Sequence, residues 1–233
     1  MKKVVLITGT SKGIGKIIAE YYLKRNCFVT GCSRGKTAIK HENYVHHSLD
    51  VSDEKAVLNM VHDVKKRQGK LEILINNAGI ASMNHMLLTP LKSVQNVFAT
   101  NVFGTFLLMR EAAKIMMRQK YGRIVNFSTV AVPLMLEGEA VYAASKSAVE
   151  TLTKIIAKEL GAYGITVNAV GPAPILTDLI KSVPKKNIDS LLSKQAIKRL
   201  AEFEDIINAV DFFIDKKSSF ITGQVVYLGG ANG

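Results

Sequence analysis

Val4-Val5-Leu6-Ile7, an apolar run rich in β-branched residues, leads directly into Thr8-Gly9-Thr10-Ser11-Lys12-Gly13-Ile14-Gly15. Ile17, Ile18, Tyr21 and Tyr22 then recur at helical spacing. A buried strand, a glycine-rich turn and an amphipathic helix in that order narrow the fold to a parallel α/β sheet. Such glycines let the backbone approach a pyrophosphate, and the helix start offers it unpaired N–H groups. The segment therefore reads as a dinucleotide cradle built from Gly9, Ser11, Lys12, Gly13, Ile14 and Gly15. Its spacing, G-x-x-x-G-x-G, is not the G-x-G-x-x-G of the standard fingerprint. A Walker loop is excluded because Gly15-Lys16 is followed by Ile17 and the required upstream glycine is missing. A glycine turn without a ligand is the plain alternative.

The rest of the chain continues the alternation. Strands are expected near 3–8, 27–33, 43–49, 71–76, 122–128, 165–170 and 224–228, and helices near 13–25, 53–67, 99–119, 141–162 and 203–214. This pattern predicts an α/β fold, a single-domain, doubly wound parallel sheet of about seven strands with helices on both faces. The 233 residues, 48% hydrophobic and 21% charged, suit one soluble globular domain without repeats or linkers. Only residues 35–43 separate Arg34 from Tyr44, which is tight for a crossover helix. No run is apolar enough to span a membrane, and Met1-Lys-Lys enters a strand at once, so a cytoplasmic protein is expected. Cys27 and Cys32 share a predicted strand at odd separation, face opposite ways and read as free thiols. The five histidines form no metal-binding pattern, and no metal site is expected.

Thirty-one basic residues against nineteen acidic give a net charge of +12. The clusters Lys65-Lys66-Arg67, Arg118 to Arg123, Lys185-Lys186 and Lys216-Lys217 are scattered, as solvated helix ends are. A basic surface also suits an acidic partner such as a carrier protein or coenzyme A. No helix combines a basic stripe with stacking aromatics, so nucleic-acid binding is not expected.

Tyr142-Ala-Ala-Ser-Lys146 places a tyrosine and a lysine on one helix face. A free tyrosine titrates near ~10, and a neighbouring ammonium would favour its phenolate, as an acid/base tyrosine requires. Alone, this spacing is weak.

Together with TGTSKGIG, Asn76-Asn77-Ala78-Gly79, Asn101 and the Gly223-Gln224 strand, however, it resembles the short-chain dehydrogenase/reductase family from about residue 3 to 230. That resemblance implies a Rossmann-like fold, with residues 1–100 mainly binding cofactor and 101–233 carrying the catalytic and substrate side. It implies Tyr142 as proton donor to a carbonyl, and Lys146 as the group that lowers the tyrosine pKa and bonds the nicotinamide ribose. Asn101 would anchor a relay water; its plain alternative is a helix bend. The substrate-orienting hydroxyl, thirteen residues before the tyrosine, falls on Thr129 rather than Ser128, which should face the other side of the strand.

Where NAD-binding members commonly carry an acidic residue, this chain has Ser33 and Arg34. With Lys12 they favour NADP(H). Asp50 and Val51 resemble the adenine contact, with Asp50 alternatively a helix cap. Asn77, Ala78 and Gly79 would line the cofactor, and Pro172, Ile175 and Thr177 would border the nicotinamide. Ala173 replaces a glycine and is compatible only with negative φ. Residues 176–199 read as a substrate flap.

Within the family the chain looks most like 3-oxoacyl-carrier-protein reductases, implying a carbonyl or alcohol substrate, with acyl carrier protein or a coenzyme A thioester as partner. Tyr163 stands where those enzymes often carry a docking arginine, and Lys120 keeps a charge at another docking position. Sugar, steroid or secondary-alcohol substrates are the alternative, as is an NADP-binding sensor or scaffold without catalysis. Phe103, Phe106, Leu107, Val149, Leu152 and Ile156 permit a homodimer or homotetramer, although core packing explains them equally well.

Overall fold

In the computed structural model, residues 2–175 and 185–231 are described. Their strands are β1 (Val4–Thr8), β2 (Phe28–Ser33), β3 (Tyr44–Ser48), β4 (Ile73–Asn76), β5 (Gly122–Phe127), β6 (Ile165–Gly171) and β7 (Val225–Tyr227). These form one seven-stranded sheet in the order β3-β2-β1-β4-β5-β6-β7. Every pairing is parallel; Val5, for example, lies opposite Val29 on one side and Ile73 on the other. The order reverses between β1 and β4, opening a crevice at their carboxyl ends where ligands of such sheets bind.

The helices are α1 (Gly13–Lys24), α2 (Glu54–Gln68), α3 (Leu91–Phe98), α4 (Gly104–Gln119), the short α5 (Ala131–Leu134), α6 (Ala140–Leu160), α7 (Lys185–Ser193) and α8 (Phe203–Ile214). Alternation along β1 divides the core. Val5 and Ile7 pack with Ile18 and Tyr22 of α1 and Val210 and Phe213 of α8. Val4 and Leu6 pack on the opposite face with α2, α4 and the end of α6. Burial on both faces explains why the strands read as unbroken apolar runs. Cys27 belongs to the first cluster and Cys32 to the second, and both are free thiols, as their spacing predicts.

Two differences from the sequence expectation bear on the site, and one expectation is met. The helix expected over 99–119 starts earlier and is not uniform: α3, a π-helical turn (Ala99–Phe103) and α4 follow in succession from Leu91 to Gln119. Apolar residues continue through all three, so periodicity alone does not reveal the wider turn. As its shortness predicts, the link from β2 to β3 contains no helix; Ile39 is its buried anchor. Of the expected flap, 176–184 and with it Thr177 lie outside the described residues, while Lys185–Ser193 is helical.

The charge clusters fall largely at helix ends. Lys65, Lys66 and Arg67 occupy the last turn of α2, where cations complement the helix dipole. Arg123 is the exception: it is buried, its guanidinium lies 4.5 Å from the Tyr121 ring centroid, and it donates to the Gly122 carbonyl at 2.8 Å.

Candidate active site

Gly9 and Gly13 take positive φ of 76° and 58°, allowing the chain to turn sharply between β1 and α1. A Cβ on Gly15 would collide with the Gly9 carbonyl and the Asn77 amide, so only glycine lets the helix start approach so closely. Asn77 holds the turn by donating to the Thr8 carbonyl at 2.9 Å, and the Ala78 N–H donates to Thr8 Oγ1 at 2.8 Å. The space above Gly13 is open. The turn thus has the backbone approach and vacant volume that a pyrophosphate needs.

Beyond β4, Gly79 stands between Asn101 and Lys146. A Cβ there would lie 3.3 Å from both Asn101 Oδ1 and Lys146 Nζ. Asn101 is fully buried within the π-helical turn. Its Oδ1 accepts from Ile80 N–H, and its Nδ2 donates to the Ile80 carbonyl and to Ser145 Oγ, each at 2.9 Å. The side-chain amide is therefore committed to pinning the 78–80 segment onto α6. Ser145, which also donates to the Tyr142 carbonyl at 2.7 Å, was not singled out by the sequence. Its position directly before Lys146 is the only signal it carried.

Lys146 is buried, and its Nζ donates to the Phe127 carbonyl at 2.7 Å. Loss of water pushes its pKa down to about 8. Four residues earlier, the Tyr142 phenol is hydrogen-bonded to Thr129, and its pKa is pushed up to about 12. Burial is the largest cause; the Thr129 bond lowers the value and the Glu139 charge raises it. The expected lowering by Lys146 is therefore not what this arrangement produces. The ammonium is turned to the end of β5 and is itself desolvated. Thr129 and Ser128 separate as strand alternation predicts: Ser128 donates to the buried carboxylate of Glu150, which also accepts from Tyr227 at 2.7 Å.

At the carboxyl end of β2, Ser33 closes the strand and Arg34 is exposed beyond it. His46 of β3 contacts Ser33 Oγ at 3.2 Å and the Gly35 carbonyl at 3.1 Å, while Ser48 donates to the Arg34 carbonyl at 3.1 Å. Tyr44 adds bonds to Thr10 at 2.9 Å and to His46 at 3.0 Å. Sequence reading missed these β3 residues, which hold the link in place of a crossover helix. Asp50 accepts from Ser52 N–H and Oγ at 2.9 and 2.7 Å, whereas Asp53 caps α2. Burial raises the Asp50 pKa, but the Ser52 bonds and the Arg34 charge outweigh it and leave the carboxyl below its usual range. Val51 is buried and packs against Gly104.

At the far side of the crevice, the Pro172 carbonyl accepts from Val130 N–H at 3.3 Å, and Ile175 pairs with Ala201. Ala173 is buried and is not among the positive-φ residues, so its methyl group is accommodated.

Residues 9–231 match the family model described as enoyl-(acyl carrier protein) reductase. The chain belongs to the short-chain dehydrogenase/reductase family. It is accordingly an oxidoreductase acting on CH–OH groups. A 3-oxoacyl-(acyl-carrier-protein) reductase of Buchnera aphidicola subsp. Schizaphis graminum is 34% identical, covering 98% of this chain and 96% of that protein. The enzyme of that name from Staphylococcus aureus (strain Mu50 / ATCC 700699) is 33% identical over 99% and 98%. Among solved structures, ElxO with NADP bound superposes with a TM-score of 0.90 at 33% identity, covering 99% of this chain and 98% of its own. Thermoplasma acidophilum aldohexose dehydrogenase in ligand-free form gives a TM-score of 0.90 at 30% identity, over 99% and 94%. The short-chain dehydrogenase/reductase architecture thus spans all the described residues, and the glycine turn, Gly79 and Tyr142 lie along its sheet crevice.

Proposed function

We propose that this short-chain dehydrogenase/reductase is an NADPH-dependent carbonyl reductase whose substrates are 3-oxoacyl thioesters. The observation that carries the reading is the meeting of Thr129, Tyr142 and Lys146 at the carboxyl end of β5, with Asn101 fixing the adjoining segment. NADPH, when bound, supplies the hydride. Gly9, Ser11, Lys12, Gly13, Ile14 and Gly15 would hold its pyrophosphate, and Ser33 and Arg34 its 2′-phosphate. Asp50 and Val51 would meet the adenine, and Asn77, Ala78, Gly79, Pro172 and Ile175 would flank the remainder, with Thr177, outside the described residues, proposed beside them.

In this reading the Tyr142 O–H bond breaks as its proton passes to the substrate oxygen. A phenol kept protonated by burial is suited to give a proton only when an alkoxide develops against it. Thr129 orients the carbonyl on Tyr142. Lys146, with its pKa near 8, returns a proton to the phenolate close to neutral pH. Asn101 acts by position, because its amide is spent on Ile80 and Ser145.

The thioester assignment rests on the full-length likeness to the two reductases of that name. The candidate docking residues Lys120 and Tyr163 are both exposed, at the amino-terminal edge of β5 and β6 and away from Tyr142. An aldohexose is the second reading, favoured by the 30% identical aldohexose dehydrogenase. The reading places the enzyme in the cytoplasm; none of the described helices is long and apolar enough to cross a membrane. It also includes a homodimer or homotetramer formed through α4 and α6, where Phe106 and Ile155 are exposed; Val149 belongs to the core.

NADPH oxidation with acetoacetyl-coenzyme A, followed for wild type and Tyr142→Phe, tests the proposal. Turnover by the wild type and a loss of at least about a hundredfold in the variant are expected. NADPH binding without turnover would remove the thioester assignment, and an active Tyr142→Phe enzyme would remove Tyr142 as the acid.

A further inference from the structure

Glu139 is the N-terminal cap residue of α6, a position where acidic side chains usually accept from the first helical N–H groups. Its side chain makes no such capping bond. It is 9% exposed, and its Oε2 is buried without a hydrogen-bond partner among the described residues. A buried carboxyl oxygen left unpaired is unfavourable and calls for a partner that arrives later. Glu139, Tyr142 and Lys146 follow one another at i, i+3 and i+7, along the face of α6 that carries the proposed chemistry. The Glu139 charge is felt at the Tyr142 phenol. Burial raises the Glu139 pKa.

We infer that Glu139 is a substrate-binding residue: its carboxyl hydrogen-bonds a second oxygen of the substrate, near the carbonyl that Tyr142 protonates. The class it selects is therefore a carbonyl compound with a further oxygen function close by, and it disfavours simple ketones. This deepens the proposed function and rests on Tyr142 being the acid. In a 3-oxoacyl thioester the second oxygen is the thioester carbonyl, which only accepts, so this substrate is bound by the protonated carboxyl. In an aldose it is a ring hydroxyl.

The test compares wild type, Glu139→Gln and Glu139→Leu on acetoacetyl-coenzyme A, glucose (oxidised with NADP+) and cyclohexanone. NADPH affinity serves as the check on folding. Glutamine keeps the shape and a donor, so its KM values should stay within about threefold of wild type. Leucine should raise KM about tenfold for the substrate with a second oxygen, the scale of one hydrogen bond to a buried group. Its KM for cyclohexanone should change little.

Equal losses on all substrates, or a loss confined to kcat, would overturn the inference and leave Glu139 a structural residue. If acetoacetyl-coenzyme A is not reduced but glucose is oxidised with the same Glu139 dependence, the thioester reading falls and the Glu139 assignment stands. Failure to turn over either oxygen-rich substrate overturns both.

Discussion

Replacing Lys146 by methionine should make the cofactor-free protein more stable at neutral pH. The side chain is buried, with its pKa lowered from 10.5 to about 8 and desolvation as the cause. A base held below its ordinary value burdens the fold wherever both folded and unfolded states carry the proton, here below about pH 8. The burden fades as pH rises toward 10.5, because the unfolded chain then also loses the proton. It amounts to about 3 kcal/mol at pH 7. Methionine removes it but also removes the bond from Nζ to the Phe127 carbonyl, worth about 1 kcal/mol.

Lys146→Met should therefore gain about 2 kcal/mol at pH 7, and that advantage should shrink by about 2 kcal/mol by pH 9.5. Urea unfolding of both proteins at the two pH values, at equal protein concentration and without cofactor, measures the difference. A variant less stable than wild type at pH 7, by an amount that does not change with pH, would refute the reasoning. Lys146 would then be a fully charged and well-compensated group whose proton is held no more loosely than that of an ordinary lysine.

Two further outcomes are expected. Arg34→Ala should weaken NADPH binding about five- to thirtyfold and leave NADH binding almost unchanged. A charge-assisted bond to phosphate is worth about 1–2 kcal/mol at a residue this exposed. The gap between the two cofactors, read from fluorescence titrations, should narrow further at high salt. Gly79→Ala should lower kcat about tenfold or more with little change in unfolding free energy. Its methyl would stand 3.3 Å from both Asn101 Oδ1 and Lys146 Nζ and must shift one of them, and small displacements at a reacting centre are expensive. An unchanged kcat would mean that the spacing of these two groups is not critical.

Much of the fold was legible because burial on both faces writes itself into the strands. Val4 and Leu6 serve one face, Val5 and Ile7 the other, and Cys27 and Cys32 divide in the same way. What escaped was the π-helical turn at Ala99–Phe103. A wider turn leaves an apolar helix pattern nearly intact, and its cause lies far off in sequence, in the bonds Asn101 makes to Ile80 and Ser145. The β3 clamp on the Arg34 link escaped for the same reason. His46 and Ser48 have no local signature, and they matter only because the missing crossover helix leaves that link for β3 to hold.

The site divides along a similar line, between what parity fixes and what electrostatics decides. Counting back thirteen residues selects Thr129, and alternation alone sends Ser128 to Glu150 and Thr129 to Tyr142. The spacing of Tyr142 and Lys146 likewise places both on one face of α6. Yet the inference from that spacing to a lowered tyrosine pKa assumes that the ammonium points at the phenol. Here it points at the Phe127 carbonyl, and burial moves each group toward its neutral form. Tyr142 is thus held as a neutral phenol and Lys146 as an ammonium that gives up its proton near pH 8, a condition that depends on how deeply α6 is sunk against β5 and that no four-residue spacing encodes.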